Sequence, residues 1–121
     1  MNYQSKPTGL KRVYLATGHS LRALKWLIKN EAAFKQETVL SVVLFIITFF
    51  LNISLTEQIS LWLTLIFVLF AEVVNTAIEA VVDRVGLEHH PLSGLAKDLG
   101  SLAVMLSLIA AMLIWLKILV L

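Results

Sequence analysis

From Gln36 to Asp83 the sequence contains no Lys or Arg, and most of its side chains over that stretch are apolar. A second long apolar run follows further along the chain. A helix needs about 20 predominantly apolar residues to cross a bilayer, and such segments carry few charges. The pattern predicts three transmembrane helices, at about 36–53, 59–82 and 97–119.

The composition agrees with a membrane location. Of the 121 residues, 59% are apolar and 15% are charged, against about 25% charged residues in a typical soluble domain. Mean hydropathy is +0.86. A chain of this size cannot bury so much apolar surface in a core of its own. The absence of cysteine excludes thiol catalysis and disulfide frameworks. We expect an all-α membrane protein with a single domain over 1–121.

The N-terminal segment is basic. It holds seven of the ten Lys and Arg residues within its first 35 positions, against one acid, Glu31. Apolar side chains recur there with a 3.6-residue period, which predicts an amphipathic helix at about 10–29 lying in the headgroup plane. Whether that helix is only an anchor or also has a function is left open by the pattern.

The distribution of Lys and Arg also predicts the topology. The turn between the first two spans has none, whereas the 83–98 connection has Arg84 and Lys97. The positive-inside rule places the N-terminus and that connection in the cytoplasm. Within the connection, Gly86 to Gly94 is predicted to be a loop because it contains Pro91 and two glycines. We expect the paired histidines of this loop to be solvated rather than to bind a metal.

The second predicted span carries polar residues in its C-terminal half. Glu72, Asn75, Glu79 and Asp83 follow at i, i+3, i+7 and i+11, which places them on one helix face. We call these four residues the polar ladder. It rises about 16 Å along the helix. Acids inside a membrane span are costly and usually functional.

The ladder has three interpretations. It could be a structural polar zipper between helices, a proton or ion relay, or a catalytic site. Carboxylates from two helices with nearby Lys and Arg would suit Mg²⁺ and nucleotide phosphates, and a deeply placed Glu72 would be a plausible general base. No Walker or GxGxxG motif accompanies it. The other polar residues expected at the same level are Glu31, Glu37, Lys97 and Asp98.

In the third predicted span, small residues recur at Gly100, Ala103, Ser107 and Ala110–Ala111. Such a stripe favours close packing of helices in membranes. Three helices shield the ladder poorly, so we also expect self-association.

Three segments carry a resemblance to a known family: NEAAFKQE (30–37), AEVVNTAIEAVVDRVG (71–86) and HPLSGLAKDLGS (90–101). In order and spacing they resemble the small integral-membrane diacylglycerol kinases of prokaryotes, from about Gly9 to the end of the third span. The resemblance implies a homotrimer of three-span subunits in the bacterial inner membrane. It also implies MgATP-dependent phosphorylation of diacylglycerol to phosphatidic acid at the cytoplasmic interface, with no nucleic-acid partner.

The resemblance also implies roles for individual residues. Glu72 matches the general base, with Asn75 and Asp83 at further catalytic positions. Glu31 and Glu79 match the metal ligands. The positions that match the nucleotide site are Arg12, His19, Glu31, Glu79, Glu88, His89, His90, Lys97 and Asp98. The positions that match the lipid site are Ser20, Ala33, Phe34, Lys35, Gln36, Glu37, Glu72 and Ser101. Two positions depart from the family pattern, His19 where Tyr is expected and Lys35 where Arg is common.

Other functions remain as alternatives. An undecaprenol kinase would share the fold and the ladder and differ in its lipid. A small ion-coupled transporter would use the ladder as a relay and need no ATP. A structural subunit would tolerate Gln along the whole ladder.

Overall fold

The structure, a computed structural model, describes residues 5–121. Over that range it is all helical, as expected, and has four α-helices. The chain divides into two compact units, one ending at Gln36 and the other formed by Glu37–Leu121. The helices are α1 (Gly9–Asn30), α2 (Ala32–Thr48), α3 (Leu55–Val85) and α4 (Pro91–Leu119).

Helix α1 extends one residue beyond each end of the predicted surface helix. It begins at Gly9, whose φ of +64° lies in the left-handed region that favours glycine. At the other end, the Asn30 side-chain amide donates to the Trp26 carbonyl oxygen at 2.9 Å. Glu31 then adopts an extended conformation, with φ −113° and ψ 101°. Its backbone N–H still donates to Leu27, so the helix stops at Asn30 with its last turn closed.

Helix α2 begins four residues before the predicted first span of 36–53 and ends five residues before the predicted end. It ends at Thr48 because the backbone tightens there: the Phe49 N–H donates to Ile46 and the Phe50 N–H to Ile47, at 3.1 and 2.9 Å. These are i→i−3 bonds, typical of a closing turn. The helix has 17 residues, about 26 Å of length, slightly less than the roughly 30 Å hydrocarbon core.

Helix α3 begins four residues before the predicted second span because its first turn is capped. Ser54 and Glu57 form a capping box: the Ser54 hydroxyl accepts from the Glu57 N–H at 3.2 Å, and the Glu57 carboxylate accepts from the Ser54 N–H at 3.0 Å. This pairing satisfies two backbone donors that a helix start otherwise leaves free. The helix ends at Val85, and the Gly86 N–H donates to Val82.

Helix α4 begins at Pro91, well before the predicted Lys97, so the loop predicted for Gly86 to Gly94 is shorter than expected. Pro91 occupies the first helical turn, where its missing N–H costs nothing. The His90 Nδ1 atom accepts from the Leu92 N–H at 3.1 Å and caps the helix. The sequence predicts Pro91 and Gly94 to be loop residues. In the structure Pro91 begins α4 and Gly94 lies within its first turns.

Two of the helices within residues 5–121, α3 and α4, are long and apolar enough to cross a membrane. They pack on each other and bury a short core, while large apolar side chains along both helices stay exposed. A membrane protein accounts for this pattern, since water would not stabilise such a surface. The buried residues of the two helices are Leu61, Thr64, Val68, Ala71, Gly100 and Ser107.

Two buried threonines join the helices of the second unit through tryptophan. The Trp62 indole N–H donates to the Thr48 hydroxyl at 2.9 Å, which links α3 to α2. The Trp115 indole N–H donates to the Thr64 hydroxyl at 2.8 Å, which links α4 to α3. Both hydroxyls are almost fully buried. The indole N–H and the hydroxyl satisfy each other in an apolar setting, where an unpaired polar group is costly.

Candidate active site

The polar ladder lies along the C-terminal half of α3, as the helical spacing predicted. Glu72, Asn75 and Glu79 are half-buried, whereas Asp83, near the end of the helix, is exposed. Their shared face follows from the 3.6-residue period, so no irregular backbone is needed to bring them together. The ladder therefore grades from a half-buried carboxylate at Glu72 to a solvent-exposed one at Asp83.

The middle of the ladder is tied together and packed against α4. The Asn75 side-chain amide donates to the Glu79 carboxylate at 3.3 Å. Its carbonyl oxygen, Oδ1, is buried and has no hydrogen-bond partner among the described residues. Gly100 of α4 lies directly against Asn75, and a Cβ built on that glycine would collide with Oδ1. Here the small-residue stripe of α4 meets the ladder.

Glu37 of α2 lies beside the deep end of the ladder. Its carboxyl group lies close to the Glu72 carboxyl group. One Glu37 oxygen, Oε2, and the neighbouring Thr38 hydroxyl are buried without a hydrogen-bond partner in the described chain. Two carboxyl groups from different helices are thus neighbours. Buried polar atoms without a partner are uncommon in folded proteins, which makes this end of the ladder a candidate functional site.

The exposed end of the ladder forms an ion pair. The Lys97 ammonium group of α4 lies 2.9 Å from the Asp83 carboxylate, with the two side chains 45% and 49% exposed. Asp98, the next residue, is exposed. The pair places the Lys97 cation next to the carboxylates of the ladder, at the end of α3 that the predicted topology puts on the cytoplasmic side. Such a cation suits a phosphate group more than it stabilises the fold, because exposed pairs contribute little.

A cavity of about 270 Å³ opens beside Glu37 within the second unit. Ser41 is the other polar residue of its wall, and the rest is apolar, including Leu65, Val68 and Trp115. An apolar cavity that ends at a carboxyl group can accommodate an amphiphilic molecule with a hydroxyl at one end. No pattern in the sequence indicates this cavity, because its walls come from three helices.

Most of the remaining predicted site residues belong to the first unit. Arg12, His19 and Ser20 are exposed on α1, where the His19 ring contacts the Arg22 guanidinium. Glu31 is half-buried at the break between α1 and α2. Ala33, Lys35 and Gln36 are exposed at the start of α2, whereas Phe34 is buried. Ser101, beside Gly100 on α4, is exposed.

The loop between α3 and α4 is exposed at Glu88, His89 and His90. The Glu88 carboxylate folds back over Gly86, and His90 caps α4. His90 therefore has a structural use that the sequence did not indicate.

The oxygen donors of the ladder fit a magnesium ion better than a softer metal. Mg²⁺ takes oxygen ligands and usually binds one or two carboxylates together with waters and substrate phosphates. Over residues 5–121, no group of three or more His, Cys, Asp or Glu side chains could by itself enclose a metal. The predicted pairing of Glu31 with Glu79 joins residues of the two separate units and stays a prediction.

The fold and the ladder define an all-helical membrane protein with a row of half-buried to exposed polar side chains along one helix face. Residues 18–119 match the family model described as prokaryotic diacylglycerol kinase, and the chain belongs to that family. The predicted enzyme class, a kinase acting on diacylglycerol, is thereby confirmed. Family membership implies a lipid substrate, membrane association and a phosphate donor.

Curated relatives cover nearly the whole chain. The diacylglycerol kinase of Escherichia coli K12 is 42% identical over 108 residues, which are 89% of this chain and 88% of that protein. The diacylglycerol kinase of Pseudomonas aeruginosa is 45% identical over 112 residues, 93% of this chain and 91% of the relative. That of Haemophilus influenzae is 42% identical over 110 residues, 91% and 93% of the two chains.

Proposed function

We propose that this chain transfers the γ-phosphoryl group of ATP to the free hydroxyl of diacylglycerol and so forms phosphatidic acid and ADP. The observation that carries the proposal is the convergence of Glu37 and Glu72 at one end of a ladder that has the Asp83–Lys97 pair at the other. The buried end suits a lipid hydroxyl and the exposed end suits a soluble nucleotide. Family membership supports the same direction of transfer.

In the proposed reaction, Glu72 is the general base. Its carboxylate accepts the hydroxyl proton while the lipid oxygen forms a bond to the γ-phosphorus. The bond from that phosphorus to the β–γ bridging oxygen breaks, and ADP leaves with the electron pair. Positioning and electrostatic stabilisation supply most of the rate enhancement in such transfers. Glu37 lies close to Glu72 and lines the apolar cavity, so the proposed base lies near a space that suits the lipid.

The nucleotide end uses oxygen ligands and cations. Glu79 and Glu31 would hold Mg²⁺, which when bound neutralises charge on the phosphates. Lys97 adds a positive charge at the exposed end, and Asn75 fixes the Glu79 carboxylate through its hydrogen bond. Asp83 is proposed as a further catalytic position. The other residues proposed to contact nucleotide are Arg12, His19, Glu88, His89, His90 and Asp98. The residues proposed to contact lipid are Ser20, Ala33, Phe34, Lys35, Gln36, Glu37, Glu72 and Ser101.

We also propose a homotrimer in the bacterial inner membrane, with α2, α3 and α4 as its three spans and the N-terminus in the cytoplasm. The exposed apolar faces of α3 and α4 and the basic N-terminal segment support this arrangement. Self-association would cover part of the ladder that three helices leave accessible.

The test is a transfer assay with purified protein, γ-labelled ATP, Mg²⁺ and two lipids offered in parallel, diacylglycerol and undecaprenol. We expect labelled phosphatidic acid. Label found only in undecaprenyl phosphate would overturn the choice of lipid. Proton or solute flux in proteoliposomes without ATP, together with no labelled lipid, would favour a transporter.

A further inference from the structure

Helices α3 and α4 approach so closely at Asn75 that Gly100 has no room for a side chain. Gly100 is buried. A Cβ added there would collide with Asn75 Oδ1 and would lie 3.2 Å from Asn75 Cγ and 3.7 Å from its Cα. The Asn75 side-chain amide therefore occupies the space that a Cβ at position 100 would need.

The hydrogen bond to Glu79 determines which way the Asn75 amide faces. The amide donates only through its NH₂ group, which faces the Glu79 carboxylate oxygen at 3.3 Å. The amide oxygen then points the other way, into the space above Gly100, where it is buried without a protein partner in the described chain. A Cβ at position 100 would push on the end of the Asn75 side chain. Moving that side chain would disturb its hydrogen bond to Glu79.

We propose that Gly100 is a positioning residue, whose missing side chain provides the space that holds the Asn75 amide in the orientation that fixes the Glu79 carboxylate. The inference rests on the proposed function in one respect, namely that Glu79 acts on the magnesium–nucleotide complex. Gly100 itself need not touch nucleotide, metal or lipid. Its effect is transmitted through Asn75. Removing the Asn75 amide should therefore allow a side chain at position 100 without further loss of activity or stability.

The matched pair of variants is Gly100→Ala and Gly94→Ala. Both glycines lie in α4, but a Cβ at Gly94 would meet nothing within 4 Å of the described chain. Ala is the better helix former at either site, so the intrinsic effect on the helix is shared. We expect Gly100→Ala to lower kcat by about 100-fold, the order of magnitude that a 1 Å misplacement costs. We expect Gly94→Ala to retain wild-type kcat.

The kinetic signature separates positioning from general damage. If Glu79 is misplaced, Gly100→Ala should raise the Mg²⁺ concentration needed for half-maximal rate, while KM for diacylglycerol stays within about twofold, because the lipid groups are untouched. A readout that needs neither metal nor activity is the side-chain amide resonance of Asn75 in ¹⁵N NMR. It should shift in Gly100→Ala and not in Gly94→Ala.

A double variant keeps the proposal testable if Gly100→Ala does not fold. Asn75→Ala removes the amide and frees the space, so Asn75→Ala with Gly100→Ala should fold and melt like Asn75→Ala alone. A double variant that also fails to fold would mean that Gly100 acts on helix packing without Asn75, and would overturn the proposal. So would Gly100→Ala with wild-type kcat and an unshifted Asn75 resonance. Failure of the proposed function would instead show as no lipid phosphorylation by the wild-type protein.

Discussion

Single side chains of the ladder differ in environment although they share one helix face. Glu72 has another carboxyl group beside it from α2, Asn75 has a glycine against it, and Asp83 has a lysine. The sequence places all of them on the face but says nothing about which neighbour each one meets. The chemical role of each residue follows from that neighbour.

Replacing Glu72 by Gln should lower lipid phosphorylation by at least about 100-fold, because an amide cannot accept the hydroxyl proton and general-base catalysis contributes roughly 10²–10⁴-fold. The assay is transfer of labelled phosphate to diacylglycerol by the purified variant, with its melting temperature in detergent measured alongside. The matched control is Glu57→Gln in the same helix, because Gln also serves at that position of a capping box. A fully active Glu72→Gln enzyme would contradict the general-base role.

Pairs of helices are held together by a few polar contacts in an apolar setting. Each indole–threonine bond joins two helices, and the Asp83–Lys97 pair joins the end of α3 to the start of α4. These two kinds of contact should differ in energy, because the first is buried and the second is exposed. Two predictions follow at this scale.

Trp115→Phe should destabilise the α3–α4 contact by about 1 kcal/mol, the typical net value of one buried hydrogen bond. The phenylalanine ring keeps most of the apolar contact. The Thr64 hydroxyl loses the hydrogen bond that it accepts from the Trp115 indole N–H. The measurement is unfolding in mixed micelles. Trp26→Phe on α1, where the side chain is about half exposed, should change the melting temperature less. Equal shifts for both variants would argue against a structural role for the Trp115 bond.

The Asp83–Lys97 pair should affect activity far more than stability. Asp83→Asn should change the free energy of unfolding by less than about 1 kcal/mol, because exposed ion pairs rarely contribute more. The same variant should raise KM for ATP, since Lys97 would lose the carboxylate that orients it. Lys97→Met and the double variant complete the cycle, with melting temperature and KM measured for each. Strong coupling in stability together with unchanged kinetics would contradict the assignment.

At the scale of the whole molecule, the exposed apolar surface and the distribution of charge decide where the chain resides and how it is oriented. Within the described residues α3 and α4 are long enough to span, and α2 is shorter. The basic residues lie mainly before Gln36. The exposed end of the ladder lies at the end of α3, next to the α3–α4 connection. The side of the membrane on which this connection lies therefore decides which compartment would supply the proposed nucleotide.

The absence of cysteine in the sequence allows the topology to be tested directly. Leu87→Cys, in the α3–α4 connection, and Thr56→Cys, in the first turn of α3, both lie at exposed positions. In intact cells an impermeant maleimide should label Thr56→Cys, whereas Leu87→Cys should require permeabilised cells. The control is wild-type protein, which offers no thiol. The reverse labelling pattern would place the nucleotide end outside and overturn the proposed topology.

The sequence by itself determined the helical class, the membrane character, the alignment of the ladder and, through three motifs, the family. These properties depend on the helical period of the apolar and polar residues, on composition and on the order of the motifs, all of which can be read from the linear sequence. It did not determine the helix ends: α2 stops at Thr48 and α4 begins at Pro91 because of a tight turn, a histidine cap and contacts between helices. The apolar run made 36–53 the predicted first span, and the proline and glycines of 86–94 made Gly94 a predicted loop residue.

Only the tertiary structure decided which residues of different helices meet. Glu37 was expected on the same side as the ladder, but its position beside Glu72 depends on how α2 packs on α3. The small residues of α4 indicated close packing, yet only the packing shows that Gly100 faces the Asn75 amide. A helical period fixes the face on which a residue lies, whereas the neighbour opposite that face depends on the register between helices, and side-chain packing sets that register.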